Sequence, residues 1–130
     1  MKREQSAGAL RAVVGLTGVV ATAAGLHTVL AGARSLPAQP LANPVVESEL
    51  RFYAAFYVAY GLAALRAAPR ADRNTAGVRA LAGALFLGGL ARIPGWRNAG
   101  RPAPGQLALL AIELAGPPSV VAWQARLAAR

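Results

Sequence analysis

Leu10–Ala33 reads LRAVVGLTGVVATAAGLHTVLAGA, and from Ala12 to Ala33 it holds no formally charged residue. Its polar side chains are confined to Thr17, Thr22, His27 and Thr28. A run of this kind is long enough to cross the hydrocarbon core, which takes about 20 apolar residues. The competing reading is a cleaved signal peptide, since Lys2, Arg3 and Arg11 lie upstream and Ala31-Gly32-Ala33 resembles a cleavage site. A signal peptide's apolar region is about 7–15 residues long, so the longer run here predicts a retained helix. Gly18, Ala21, Thr22 and Gly25 lie on neighbouring faces of that helix, where small side chains allow another backbone to approach.

Three further apolar segments follow, and the spacing predicts helices over about 10–33, 44–65, 76–93 and 106–125. Asn43 suits an N-cap and Pro44 the first helical position, with Glu47 in a first turn where a carboxylate complements the helix dipole. The linker Arg34–Ala42 holds Pro37 and Pro40 and should be extended. The third segment is the shortest, with a charge-free stretch only from Ala80 to Ala91. It spans a bilayer if Arg79 snorkels and Arg92 sits at or inside the other boundary; an interfacial helix is the other reading. Pro94–Gly105, rich in proline and glycine, reads as a loop. In the fourth segment Pro117 crowds the carbonyl of Glu113, so a kink is expected beside the segment's acid.

Composition agrees with a membrane chain. Of 130 residues 55% are hydrophobic, 15% are charged and none is cysteine. Disulfide frameworks and thiolate metal sites are excluded. The net charge of +9 would suit nucleic acid if it clustered on a polar face, but the arginines punctuate apolar runs instead. The expected fold is an all-α integral membrane four-helix bundle, a single transmembrane domain over residues 1–130. With four crossings, nine basic residues fall on the side of the termini and five on the other. The positive-inside rule then places both termini in the cytoplasm, and the expected location is the bacterial cytoplasmic membrane.

In that arrangement each helix brings a polar group to the outer half of the bundle: His27, Glu49 with Arg51, Arg92 and Glu113. Ionisable groups inside a membrane are costly and usually face one another or a wet cavity. Glu49, Tyr53, Tyr57 and Tyr60 recur at helical spacing, as do Phe52 and Phe56, and Tyr53, Phe56 and Tyr57 would meet the apolar part of a ligand. The plain reading is that the rings pack or anchor the helix, that Glu113 neutralises Arg92 or Arg51, and that His27 is a hydrogen-bonded packing residue. Glu47 is expected to be solvated. No His, Asp or Glu pair has metal-ligand spacing, and no nucleophile elbow, P-loop, dinucleotide fingerprint or HExxH motif occurs. No cofactor is expected, and a non-catalytic role is favoured.

The run ESELRFYAAFYVAYGLAAL (residues 47–65), with GLHTVLAG on the first segment, GLAR on the third and ALLAIELAGPP on the fourth, resembles the bacterial family of small membrane proteins known as domain of unknown function 4345. The resemblance implies a four-helix membrane protein with His27, Glu49, Arg51, Phe52, Tyr53, Arg92, Glu113 and Pro117 at its recurring positions. It implies no activity. Two functions stay open: binding a lipophilic molecule with a polar head, such as a lipid or quinone, in the polar pocket; or serving as an accessory subunit beside a membrane-protein partner or a second copy. A proton-coupled carrier using Glu113 is a weaker third.

Overall fold

The computed structural model describes residues 2–37 and 43–129. Among them lie four α-helices and no strand: α1 (Lys2–Ala31), α2 (Pro44–Ala67), α3 (Thr75–Ala99) and α4 (Pro104–Ala128), with short 3-10 turns at Gly32–Ser35 and Ala68–Arg70. The protein is therefore an all-α chain. Pro40 and Arg130, which entered the linker and charge readings, lie outside the described residues.

The helix boundaries follow from local chemistry. Asn43 caps α2, its side-chain oxygen accepting from the Val46 amide at 2.9 Å, and Pro44 occupies the first position. Asn74 caps α3 in the same way through the Gly77 amide at 3.0 Å. The α1 helix starts at Lys2, well before Leu10, because Lys, Arg, Glu and Gln are good helix formers. The α3 helix runs through Pro94 and ends only at Gly100, with φ of 91°, so the loop is shorter than the sequence suggests. A proline inside a helix costs the bond to the carbonyl four residues back, here that of Leu90, while the later turns keep theirs. The α4 helix is continuous through Pro117 and Pro118.

Among the described residues three helical stretches are long and apolar enough to cross a membrane: Lys2–Ser35, Thr75–Ala99 and Pro104–Ala128. The third segment qualifies because α3 is longer than its charge-free middle. The α2 helix is not among the three. It carries Tyr53, Tyr57 and Tyr60 among its apolar residues and Arg51 and Arg66 towards its ends. Much of the large apolar surface faces outward, although Leu10, Val78, Leu110 and Leu127 are buried. Alanines such as Ala21, Ala54, Ala64 and Ala82 are buried, while Leu16, Leu30, Phe52, Leu87 and Ile112 are exposed. Large side chains turned outward and small ones inward are what lipid-facing helices show. This is an integral membrane protein.

The chain forms two compact units. In the unit Ala12–Pro69, α1 and α2 cross at backbone contact. A Cβ added to Gly18 would lie 2.8 Å from the Leu65 nitrogen and 2.9 Å from the Gly61 oxygen. One added to Gly25 would lie 2.8 Å from the Val58 nitrogen and 2.9 Å from the Ala54 oxygen. Across the same seam Gly61 faces Thr22, whose hydroxyl is buried and has no hydrogen-bond partner.

The other unit is built from the start of α1, through Arg11, and from Arg70 onward. The α3 and α4 helices pack as a hairpin. The first turns of α1 lie along the end of α4: Ser6 accepts from the Trp123 ring nitrogen at 2.8 Å, and the Leu127 carbonyl accepts from Arg3 at 3.2 Å. Gln124 is buried and donates to the Ala71 carbonyl at 2.6 Å, which fixes the turn before α3.

Candidate functional site

The α3–α4 hairpin holds a buried ion pair. Gly89 on α3 has no side chain, and a Cβ there would meet the Glu113 Cβ at 2.9 Å and Leu114 at 3.0 Å. That opening brings α4 close. One turn further along α3, Arg92 then reaches Glu113 with two nitrogens, Nε to Oε2 at 2.6 Å and Nη2 to Oε1 at 3.0 Å. Glu113 is only 4% exposed, and both of its carboxylate oxygens accept from Arg92. Paired guanidinium and carboxylate groups satisfy each other's geometry, and a carboxylate left alone in apolar surroundings is strongly disfavoured.

The Arg92 side chain is 41% exposed. Its Nη1 donates to the Gln106 side-chain oxygen at 3.2 Å. Gln106 lies two helical turns before Glu113 on the same face of α4, a seven-residue spacing visible in the sequence. It was read there only as a helix start. Beside this group opens a groove of about 430 Å³ lined by Arg92, Trp96, Arg101, Pro102, Gln106 and Leu110. It joins guanidinium donors to an indole and an aliphatic wall.

Arg51 has a different task. It donates from Nε to Glu47 Oε2 at 3.2 Å and from Nη1 to the carbonyls of Val29 and, at 3.3 Å, Leu30. Those carbonyls belong to the last turn of α1, where the helix has no amides of its own to offer. Glu47 also accepts from the Ala33 amide at 3.2 Å. The turn between them is made by Gly32 at φ of 59°, packed against both side chains. Arg51 and Glu47 thus clamp the end of α1 to the start of α2. This corrects the expectation that Glu47 is solvated, and it gives Arg51 a partner other than Glu49. The i,i+4 spacing of the two residues was the available signal.

The remaining candidates are placed as follows. Glu49 and His27 are exposed on α2 and α1. Phe52 stands edge-on to both Tyr53 and Phe56, with ring centroids 5.6 Å and 5.1 Å apart, and all three rings are exposed. Tyr57 and Tyr60 stack at 6.3 Å and are half-buried. Pro117 is buried on α4, one turn beyond Glu113. Among the described residues no group of three or more His, Asp or Glu side chains is placed to hold a metal ion.

Residues 9–124 match the family described as Domain of unknown function (DUF4345), which covers most of the chain, and the chain belongs to that family. No curated protein and no solved structure matches it.

Proposed function

We propose that this DUF4345 member binds a lipophilic molecule with a polar head, a quinone or a lipid, in the groove beside Arg92. The observation that carries the reading is the groove itself, in which Arg92, oriented by two hydrogen bonds to Glu113, stands beside Trp96, Gln106 and Leu110. Glu113 neutralises and orients Arg92. A carbonyl or phosphate oxygen of the ligand takes over the longer Gln106 contact, and Trp96 and Leu110 receive the apolar portion. Sites of this type combine an apolar lining with a few fixed polar groups.

Native mass spectrometry of protein released from lipid nanodiscs tests this. The wild type retains a small molecule, whereas Arg92→Gln and Gln106→Ala, equally helical, lose it. Equal retention in all three sinks the reading.

A second reading rests on a different observation. Phe52, Tyr53 and Phe56 form an exposed aromatic cluster on α2, which is not among the three candidate membrane spans. In this reading the cluster docks against another membrane protein or a second copy of the chain. A monodisperse monomer, unaffected by Phe52→Ala and Phe56→Ala, removes it. For topology we propose four crossings in a bacterial cytoplasmic membrane with both termini cytoplasmic, supported by the arginine distribution.

A further inference from the structure

A second cavity, of about 700 Å³, lies where the start of α1, the turn before α3 and the end of α4 meet; Arg3, Glu4, Arg11, Asp72, Arg73 and Leu127 line it. Three arginines reach it, Arg3 and Arg11 from α1 and Arg73 from the turn before α3, and their states differ. Arg11 is committed to Asp72 by two hydrogen bonds, at 2.8 and 2.9 Å. Arg73 touches the same carboxylate only at 3.6 Å, and its side chain is 84% exposed. Arg3 rests one nitrogen on the Leu127 carbonyl at 3.2 Å, which leaves its other donors for a ligand. With Asp72 neutralised by Arg11, Glu4 is the lining carboxylate that remains against Arg3 and Arg73. The cavity therefore carries an excess of guanidinium, the group best matched to phosphate oxygens.

Its depth identifies the source of the phosphate. From Thr75 at this cavity to Trp96 at the far groove, α3 runs about 31 Å, close to the roughly 30 Å of a hydrocarbon core. The cavity therefore sits at headgroup level, and exposed apolar surface of α3, such as Leu87, lies between the two levels. We infer that this cavity binds the phosphate of an anionic phospholipid headgroup, with Arg3 and Arg73 as direct ligands and the Arg11–Asp72 pair as its fixed wall. The inference is separate from the groove at Arg92.

The test places the full chain in nanodiscs containing equal amounts of phosphatidylglycerol and phosphatidylcholine and reads the lipids retained by native mass spectrometry. The wild type should retain phosphatidylglycerol over phosphatidylcholine by at least about fivefold, given the attraction of basic residues to anionic headgroups. Arg3→Gln/Arg73→Gln should bring that ratio near one. Arg34→Gln/Arg66→Gln, which removes the same charge elsewhere, and Arg92→Gln should both keep it. Added inorganic phosphate should leave the lipid bound; displacement would assign the site to free phosphate and overturn the lipid assignment. Equal loss in the Arg34→Gln/Arg66→Gln control would show bulk charge at work and also overturn it. If Arg3→Gln/Arg73→Gln loses helix by circular dichroism, the wild-type ratio decides, and a ratio near one refutes the site.

Discussion

Gly89 and Glu113 face each other across the α3–α4 hairpin so closely that a Cβ on the glycine would lie 2.9 Å from that of the glutamate. The contact is to a Cβ, which cannot swing away, so any side chain at 89 must push the helices apart. Gly89→Val should destabilise the hairpin by about 1–3 kcal/mol, the usual cost of overpacking. It should also lengthen the Arg92–Glu113 fork. Thermal unfolding in detergent measures the first effect.

Breaking the fork from either side is unequal to removing it. Glu113→Ala strands a guanidinium and should cost about 3 kcal/mol, the low end for a broken buried pair, since Arg92 can turn part of its head outward. Arg92→Met/Glu113→Leu, which leaves no charge behind, should cost less than Glu113→Ala alone. A double variant less stable than the single one would contradict the pair's role.

Glycines on the same chain should respond in opposite directions. A Cβ on Gly61 would meet the Thr22 nitrogen at 2.5 Å and the Gly18 oxygen at 2.8 Å, whereas Gly83 has nothing within 4 Å. Gly61→Ala should lower the melting temperature. Gly83→Ala should raise stability by about 0.5–1 kcal/mol, because alanine loses less backbone freedom in a helix.

Asp72 lies in the turn before α3, and its hydrogen bonds to Arg11 hold its carboxyl below the usual carboxylate range. The unfolded chain therefore takes up a proton first as pH falls, and stability rises with pH in that window. The contribution is complete above an ordinary Asp pKa of about 3.9 and is lost as pH drops through the lowered folded value. Asp72→Asn should flatten the acid limb of the stability curve, as read by unfolding at a series of pH values.

The chain has no cysteine, so single introduced thiols report topology cleanly. With four crossings, Lys2→Cys and Arg70→Cys label from the same side of oriented vesicles, and Asn98→Cys from the other. If α2 does not cross, Lys2→Cys and Arg70→Cys label from opposite sides.

Much of the helical framework was legible before any coordinates. Asn43-Pro44 announced the start of α2, and the charge-free run after Ala12 announced a membrane helix. Pro94 misled, because a proline weakens one hydrogen bond without dictating that a helix must end there. The candidate site was legible in part. Glu113 with Arg92 was foreseen as one of two pairings, but Gln106 was overlooked and Glu47 was left to solvent.

The division has a physical basis. Apolar length and composition add up along the chain, so the sequence by itself determined that this is an all-α membrane protein. Partner choice depends on which helix faces meet and on gaps of a few tenths of an ångström. The tertiary structure alone decided that the opening at Gly89 delivers Arg92 to Glu113, and that the turn at Gly32 turns Arg51 and Glu47 into a clamp.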